Sequence, residues 1–285
     1  MSLRLGYGTN GFGDHRLDDA LAVIAGLGYD GVALTLDHPH LDPFAPDLAA
    51  RTAAVARRVE SLGLAVMVET GARYLLDPWR KHEPTLVSEQ GRERRVDLLC
   101  RAVRVAADLD AEAVSFWSGV LPPGTDDRTG WERLVTGIAP VLAEAERRGV
   151  RLAFEPEPGM FVDTLDGVLE LRARLDDPDV LGVTLDVGHC VCNEPRGPVE
   201  TVHAAAPLLT NVQLDDMRPE VHEHLEFGTG DLDLPAVLGA LVEAGYTGLA
   251  SVELPRHGHG APAVAARSMA ALRHALAEVG VGTNA

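Results

Sequence analysis

The chain has 285 residues, 46% hydrophobic and 24% charged, which is the composition of an ordinary globular protein with material for a large core. Its 25 basic and 43 acidic residues leave a net charge of −18, which repels polyanions at long range and excludes a nucleic acid as the expected partner. No apolar run approaches the ~18–20 residues that span a bilayer, and the odd, sparse set Cys100, Cys190 and Cys192 makes no disulfide framework, so a cytoplasmic protein without membrane contact is expected.

The N-terminal stretch Met1-Ser2-Leu3-Arg4-Leu5-Gly6-Tyr7 reads directly into a strand and has no signal-peptide organisation. Strand-like runs fall at 3–8, 31–36, 65–69, 113–117, 151–155, 182–186, 210–214 and 249–253. Amphipathic stretches lie between them, among them 47–61, 92–109, 132–148, 165–175 and 234–244. This alternation implies parallel strands with helical crossovers. About eight units with no flexible linker predict one α/β domain over 1–285, a closed (β/α)₈ TIM barrel, since such barrels run to roughly 250 residues. Leu27-Gly28-Tyr29-Asp30-Gly31 and Ala244-Gly245-Tyr246-Thr247-Gly248 repeat at helix-to-strand junctions. Their first glycine suits a helix C-cap and their second a tight turn. Gly6, Gly8, Gly11 and Gly13 have the wrong spacing for a dinucleotide or phosphate loop.

Several strands end on a polar residue after an apolar run: Glu69, Glu155, Asp186 and Glu253, with Gln213 in the comparable place. In a parallel barrel all strand C-termini open on one face, so these side chains are expected to converge. One such carboxylate alone could equally cap a helix or pair with an arginine. Glu155, Asp186 and Glu253 together would repel one another, and a hard divalent cation removes that penalty. Oxygen donors suit Mn²⁺ or Mg²⁺ first, with Co²⁺ or Zn²⁺ as alternatives. In Asp186-Val187-Gly188-His189 the glycine is expected to permit a sharp turn that returns His189 over the same mouth, to orient the aspartate or contact substrate. His222-Glu223-His224 is placed in the loop after Gln213, as metal ligands or as solvated loop residues. Cys190 and Cys192 fit no common zinc spacing and read as buried structural residues. The segment from Glu69 through Arg73 and Tyr74 to Lys81 and His82, with Trp79, suits a substrate-covering loop or an ordinary surface excursion. His38, His40, Phe12 and Trp117 also fall at predicted strand ends. Trp117 would either stack on a sugar-like ring or plug the barrel.

The series Glu155…Asp186-x-x-His189…Gln213…Glu253 resembles the xylose-isomerase-like barrel superfamily, from Leu3 to about Ala277. That group includes sugar isomerases, ketose 3-epimerases, an inosose dehydratase and endonuclease IV. The resemblance to ketose 3-epimerases implies that Glu155, Asp186, the Gln213 position and Glu253 hold one Mn²⁺-like ion. It also implies that Glu155 and Glu253 serve as acid and base, and that His189 binds a substrate oxygen. Those epimerases carry a histidine where Gln213 stands, so either the ion is held more loosely or His224 completes its sphere. His222 and His224 lie where endonuclease IV has an Asp-x-His pair. The further zinc histidines of that enzyme have no match, because Glu69 and Ser115-Phe116-Trp117 stand at those strand ends.

The expected function is isomerisation or epimerisation of a sugar or cyclitol-like polyhydroxy carbonyl compound. Glu155 and Glu253 would be catalytic, and Glu69, Arg73, Trp117, His189 and His222 would bind the substrate. A lyase on the same scaffold shares the first step, and a non-catalytic metabolite-binding barrel is the alternative outside enzymology. Self-association into a homo-oligomer is left open.

Overall fold

The computed structural model describes residues 3–281. Its elements run β1 (Arg4–Gly8), α1 (Leu17–Gly26), β2 (Gly31–Thr35), α2 (Leu48–Leu62), β3 (Ala65–Glu69), α3 (Arg92–Asp108) and β4 (Ala113–Phe116). They continue with α4 (Asp127–Arg148), β5 (Arg151–Phe154), α5 (Leu165–Arg174), β6 (Leu181–Asp186), α6 (Val187–Cys192), α7 (Pro198–Ala205) and β7 (Leu209–Leu214). The chain closes through β8 (Asp216–Arg218), β9 (Val221–Leu225), α8 (Leu234–Glu243), β10 (Leu249–Val252) and α9 (Ala261–Glu278). Strands β1 to β7 and β10 form a closed parallel barrel in which β1 pairs with both β2 and β10. The predicted (β/α)₈ barrel is therefore the observed fold, with each predicted strand displaced by no more than one residue at an end.

Local chemistry sets the helix starts. The Asp126 carboxylate accepts the Thr129 amide at 2.7 Å, and Asp233 accepts the Ala236 amide at 3.0 Å, each satisfying an orphan donor of a first turn. The Asp126 cap explains why α4 begins at Asp127, a turn and a half before the expected 132. Gly28 (φ 85°) and Gly245 (φ 69°) take the left-handed conformation after their helices, as the cap reading requires. Gly31 makes no turn. It opens β2, where a Cβ would sit 2.7 Å from the Ala65 carbonyl oxygen, so close strand packing is what requires glycine there.

Along each strand alternate side chains face the barrel axis. Outward residues such as Leu152, Phe154, Val183, Leu185, Val212 and Val252 are buried against the helices in the main core. Ala33, Met67, Ala113, Ala153 and Leu249 form a separate small cluster inside the barrel. Two residues further along each strand the inward positions become Thr35, Glu69, Ser115, Glu155 and Ser251. A packed apolar plug thus supports a polar layer at the C-terminal mouth, where sites on this fold lie.

Two local readings are corrected. His222 and His224 do not lie in a loop: β8 and β9 form an antiparallel hairpin over the mouth. Alternation along β9 then sends both imidazoles to one side. Gly188 makes no turn, for it lies inside α6, which starts directly after Asp186. A Cβ there would meet Asp215 Oδ1 at 2.0 Å and Met217 Cγ at 2.8 Å. Phe12, which follows the end of β1, is fully buried and packs edge-on against Tyr7.

Candidate active site

The mouth opens on a cavity of about 1110 Å³ whose lining includes Glu69, Ser115, Trp117, Glu155, Glu157, Gln213, His222, His224 and Glu253. Single carboxylate oxygens of Glu155, Asp186 and Glu253 lie within 4.8 Å of one another, although the three residues come from β5, β6 and β10. The backbone fixes them: the Glu155 amide donates to Phe116 at 2.9 Å, and the Glu253 amide to Leu214 at 3.0 Å. Each of these two acids is thereby locked in register one residue beyond its strand.

The side chains have distinct surroundings. Asn10 donates to Glu253 at 2.8 Å, and the Ser115 hydroxyl donates to Glu155 at 3.4 Å. Asn211 donates to Glu69 at 3.1 Å. Asp186 caps α6 by accepting the His189 amide at 2.9 Å. The His189 ring stands 3.7 Å from both Glu155 and Asp186. His224 Nδ1 lies 2.5 Å from Asp215 Oδ2, a contact that orients the ring.

Electrostatics follow from this crowding. Burial first, and then the neighbouring Glu157, Glu253, Glu69 and Asp186, pushes Glu155 well above the usual carboxylate range. Burial likewise lifts Glu253 to about 7, against the opposing charge of His224 and the Asn10 hydrogen bond. Glu157 rises to about 7 for the same leading reason. Burial also acts on Asp186, but His189, His224 and the His189 amide outweigh it and hold this acid below its ordinary value. Burial pushes the His189 imidazole down to about 4, so the ring is neutral near neutrality.

These surroundings fit a cation. Asp186 Oδ2 and Gln213 Oε1 are buried acceptors without a donor. Two acceptors left bare beside a cluster of repelling carboxylates are satisfied by a positive ion. The donor set Glu155, Asp186, Gln213 and Glu253 is all oxygen. His224 groups with Asp186 and Asp215 and also with His189 and His222, and not with the Glu155–Asp186–Glu253 set.

The remaining expected residues surround this cluster at greater range. Trp117 lines the cavity, with the Arg95 guanidinium 4.7 Å from its ring centroid and His82 edge-on at 5.1 Å. Arg73, Tyr74, Lys81 and His82 line the wall, whereas Trp79 is 90% exposed and faces away. His38 and the buried His40 line the cavity on the β2 side. Cys190 is buried and Cys192 only half-buried, and both are free thiols. Sequence reasoning assigned no role to Glu157, Asp215, Asn10, Ser115 or Asn211. Period-two counting from the strand ends would have found three of them, because Glu157 follows Glu155, and Asn211 and Asp215 flank Gln213, at that spacing.

Fold and mouth together define a (β/α)₈-barrel protein with a carboxylate-rich pocket at the strand C-termini. The chain belongs to the xylose isomerase-like TIM barrel family, whose model matches residues 21–275. It is 27% identical over 188 residues to an uncharacterized protein of Methanocaldococcus jannaschii, covering 62% of each chain. An inosose dehydratase of Lacticaseibacillus casei is 27% identical over 46% of this chain and 49% of its own length. A 3-dehydroshikimate dehydratase of Pseudomonas putida is 26% identical over 84% of this chain and 36% of its own. The matches thus span less than two thirds of each of these relatives. Among solved structures, a D-tagatose 3-epimerase-like protein superposes with a TM-score of 0.79 at 20% identity over 98% of both chains. An L-ribulose 3-epimerase gives 0.78 at 20% identity over 97% of this chain and 95% of its own. The IolI protein with a bound zinc atom gives 0.75 at 18% identity over 97% of this chain and 98% of its own. At these identities the superpositions establish the shared fold. Among the described residues, no helix is long and apolar enough to cross a membrane.

Proposed function

We propose that this protein is a metal-dependent isomerase or epimerase of a sugar or cyclitol-like polyhydroxy carbonyl compound. The observation that carries this reading is the convergence of Glu155, Asp186 and Glu253 beside the bare acceptors Asp186 Oδ2 and Gln213 Oε1. Glu155, Asp186, Gln213 and Glu253 would hold the ion, with Mn²⁺ or Mg²⁺ suited to an all-oxygen set. When bound, the ion would polarise a carbonyl–hydroxyl pair and acidify the C–H between them. Proton traffic falls to Glu253 and Glu155. Glu253, lifted to about 7 and steadied by Asn10, is poised to take a proton near neutral pH. Glu155, within 4.8 Å of Glu253 and Asp186 in the same cluster, is placed as the second proton carrier. The neutral His189 ring, with both nitrogens unpartnered, is placed to hydrogen-bond a substrate oxygen.

Sequence relationship to two dehydratases favours one second reading, elimination of water by the same base when a leaving group sits β to the acidified carbon. Turnover in deuterated water separates them: epimerisation leaves deuterium at the inverted carbon, whereas elimination gives a dehydrated product. Metal analysis tests the common premise. The purified chain should take up about one divalent ion, and Mn²⁺ at a hundred times its Kd should stabilise it by about 2.7 kcal/mol. A wild-type chain that takes up no ion and shows no thermal response to Mn²⁺ would sink the metalloenzyme reading.

A further inference from the structure

The chain contains one lysine, Lys81, against 24 arginines, and that lysine lines the cavity mouth. Arg73 and Arg256 line it too; Arg73 and Lys81 share the loop after β3, and Arg256 comes from the loop after β10. Hydrogen bonds gather them on one wall. The His82 amide donates to the Arg73 carbonyl at 2.5 Å, and Arg73 Nη2 reaches the Pro255 carbonyl at 3.3 Å. Arg256 Nη2 in turn reaches the His222 carbonyl at 3.4 Å. All three side chains are exposed.

What they lack is an acidic partner. Elsewhere on the surface Arg80, Arg196 and Arg267 are held by Asp77, Asp166 and Glu226 at 2.8–2.9 Å. Among the described residues no carboxylate lies within 4.0 Å of Arg73, Lys81 or Arg256. In a chain with an acidic excess of 18, partners were available and the three cations stand without them. Lys81 opposes the rise of Glu157 at a distance, yet none of the three cations makes contact with Glu157 or Glu155. The rim acids Asp14 and Asp37 belong to the β1 and β2 loops. The cavity therefore has an acidic floor and one cationic wall.

Resting on the reading that this cavity takes a polyhydroxy carbonyl compound, we infer that the substrate carries an anionic group, a carboxylate or a phosphate monoester, received by Arg73, Lys81 and Arg256. The floor repels an anion and the wall attracts it, so this charge also fixes which end of the substrate meets Glu155 and Glu253.

The single lysine makes the test direct. Reductive ¹³C-methylation keeps the charge and gives one side-chain resonance, assigned by its loss in Lys81→Arg. The probes are D-glucitol, D-gluconate and D-glucitol 6-phosphate, six-carbon polyol chains that carry respectively no charge, a carboxylate at C1 and a phosphate at C6. The expected result is a saturable shift with gluconate or glucitol 6-phosphate at roughly tenfold lower concentration than with glucitol. Which anion acts tells carboxylate from phosphate. Arg73→Gln and Arg256→Gln should each shrink the preference to below about threefold, and added salt should weaken it. Calorimetric titration of unmodified protein should give the same order. A resonance unmoved by all three probes, or moved equally by the neutral one, overturns the inference. Repeating the titration without metal and in Glu253→Gln separates the two readings. Anion preference in a chain that takes up no Mn²⁺ removes the metalloenzyme and keeps this inference, whereas Mn²⁺ uptake without anion preference does the reverse.

Discussion

Gly188→Ala sets two effects of opposite sign against each other. Within a helix alanine is favoured over glycine by up to about 1 kcal/mol, and by less in a first turn such as the one Gly188 occupies, so propensity alone predicts a stabilised protein. The added Cβ, however, would lie 2.0 Å from Asp215 Oδ1 and 2.8 Å from Met217 Cγ. Neither neighbour can swing into solvent, because both are fully buried and Asp215 is clamped to His224 Nδ1 at 2.5 Å. Overpacking of this kind costs about 1–3 kcal/mol, which exceeds the propensity gain over most of that range. Gly239→Ala in α8 is the control, for its Cβ would meet only Val279 Cγ1 at 3.7 Å, an ordinary contact. The two variants should therefore differ by about 1–3 kcal/mol. At the lower end of the ~2–4 °C per kcal/mol seen for large domains, that separates their melting temperatures by roughly 2–6 °C, with Gly188→Ala the lower. The His224 imidazole resonances should also move in Gly188→Ala alone. Equal melting temperatures for the two variants would show that Asp215 is not held rigidly, and the account of the Asp215–His224 pair would fail.

Glu155→Gln and Glu253→Gln should each cut kcat by at least about 10²-fold at unchanged fold, read by steady-state kinetics beside circular dichroism; near-normal turnover in both removes the acid/base assignment. Gln213→His replaces a neutral amide oxygen with a stronger imidazole donor and should tighten binding of Co²⁺ or Zn²⁺ by roughly tenfold while leaving Mg²⁺ nearly unchanged, measured by competition with a chelator. His82 is pushed down to about 4, by burial first and by Lys81, Arg95 and Arg73 after it. Between an unfolded value of about 6.5 and that folded value the native state binds fewer protons than the unfolded one, so stability falls as pH drops through this window. The loss should be on the order of 2 kcal/mol after allowance for partial exposure, and His82→Gln should flatten the urea-unfolding profile there.

The barrel was legible because its units announce themselves by an apolar strand and an amphipathic helix, in several cases with glycine after it, as at Gly28, Gly63, Gly149 and Gly245. Glu69, Glu155, Asp186 and Glu253 were legible because a charge at the end of an apolar run has one place to go in a parallel barrel. The hairpin was hidden for a physical reason. Val221-His222-Glu223-His224 has no apolar face to bury, so its alternation carries no hydrophobic signal, and β9 is in fact only half-buried. Gly188 is visible in the sequence but ambiguous there, since glycine marks either a backbone that turns or a neighbour that comes close. Only the position of Asp215, 27 residues further on, distinguishes the two.

The same distinction orders the site. Glu155 and Glu253 are carboxylates whose surroundings oppose ionisation, while Asp186, despite its burial, lies below its ordinary value and accepts the His189 amide in the first turn of the helix it caps. An acid that must keep its charge belongs on a helix N-terminus, and acids that must exchange protons belong where burial works against charge. The chain achieves both with one strand-end pattern by varying the segment that comes after it. After β6 the backbone enters α6 at once, whereas after β5 and β10 it runs on through Pro156 and Leu254-Pro255, residues that offer those acids no helix N-terminus of their own. On the proposed reading Asp186 would serve as the anchor because of Val187–Cys192, and replacing that first turn should remove the anchor while leaving the aspartate in place.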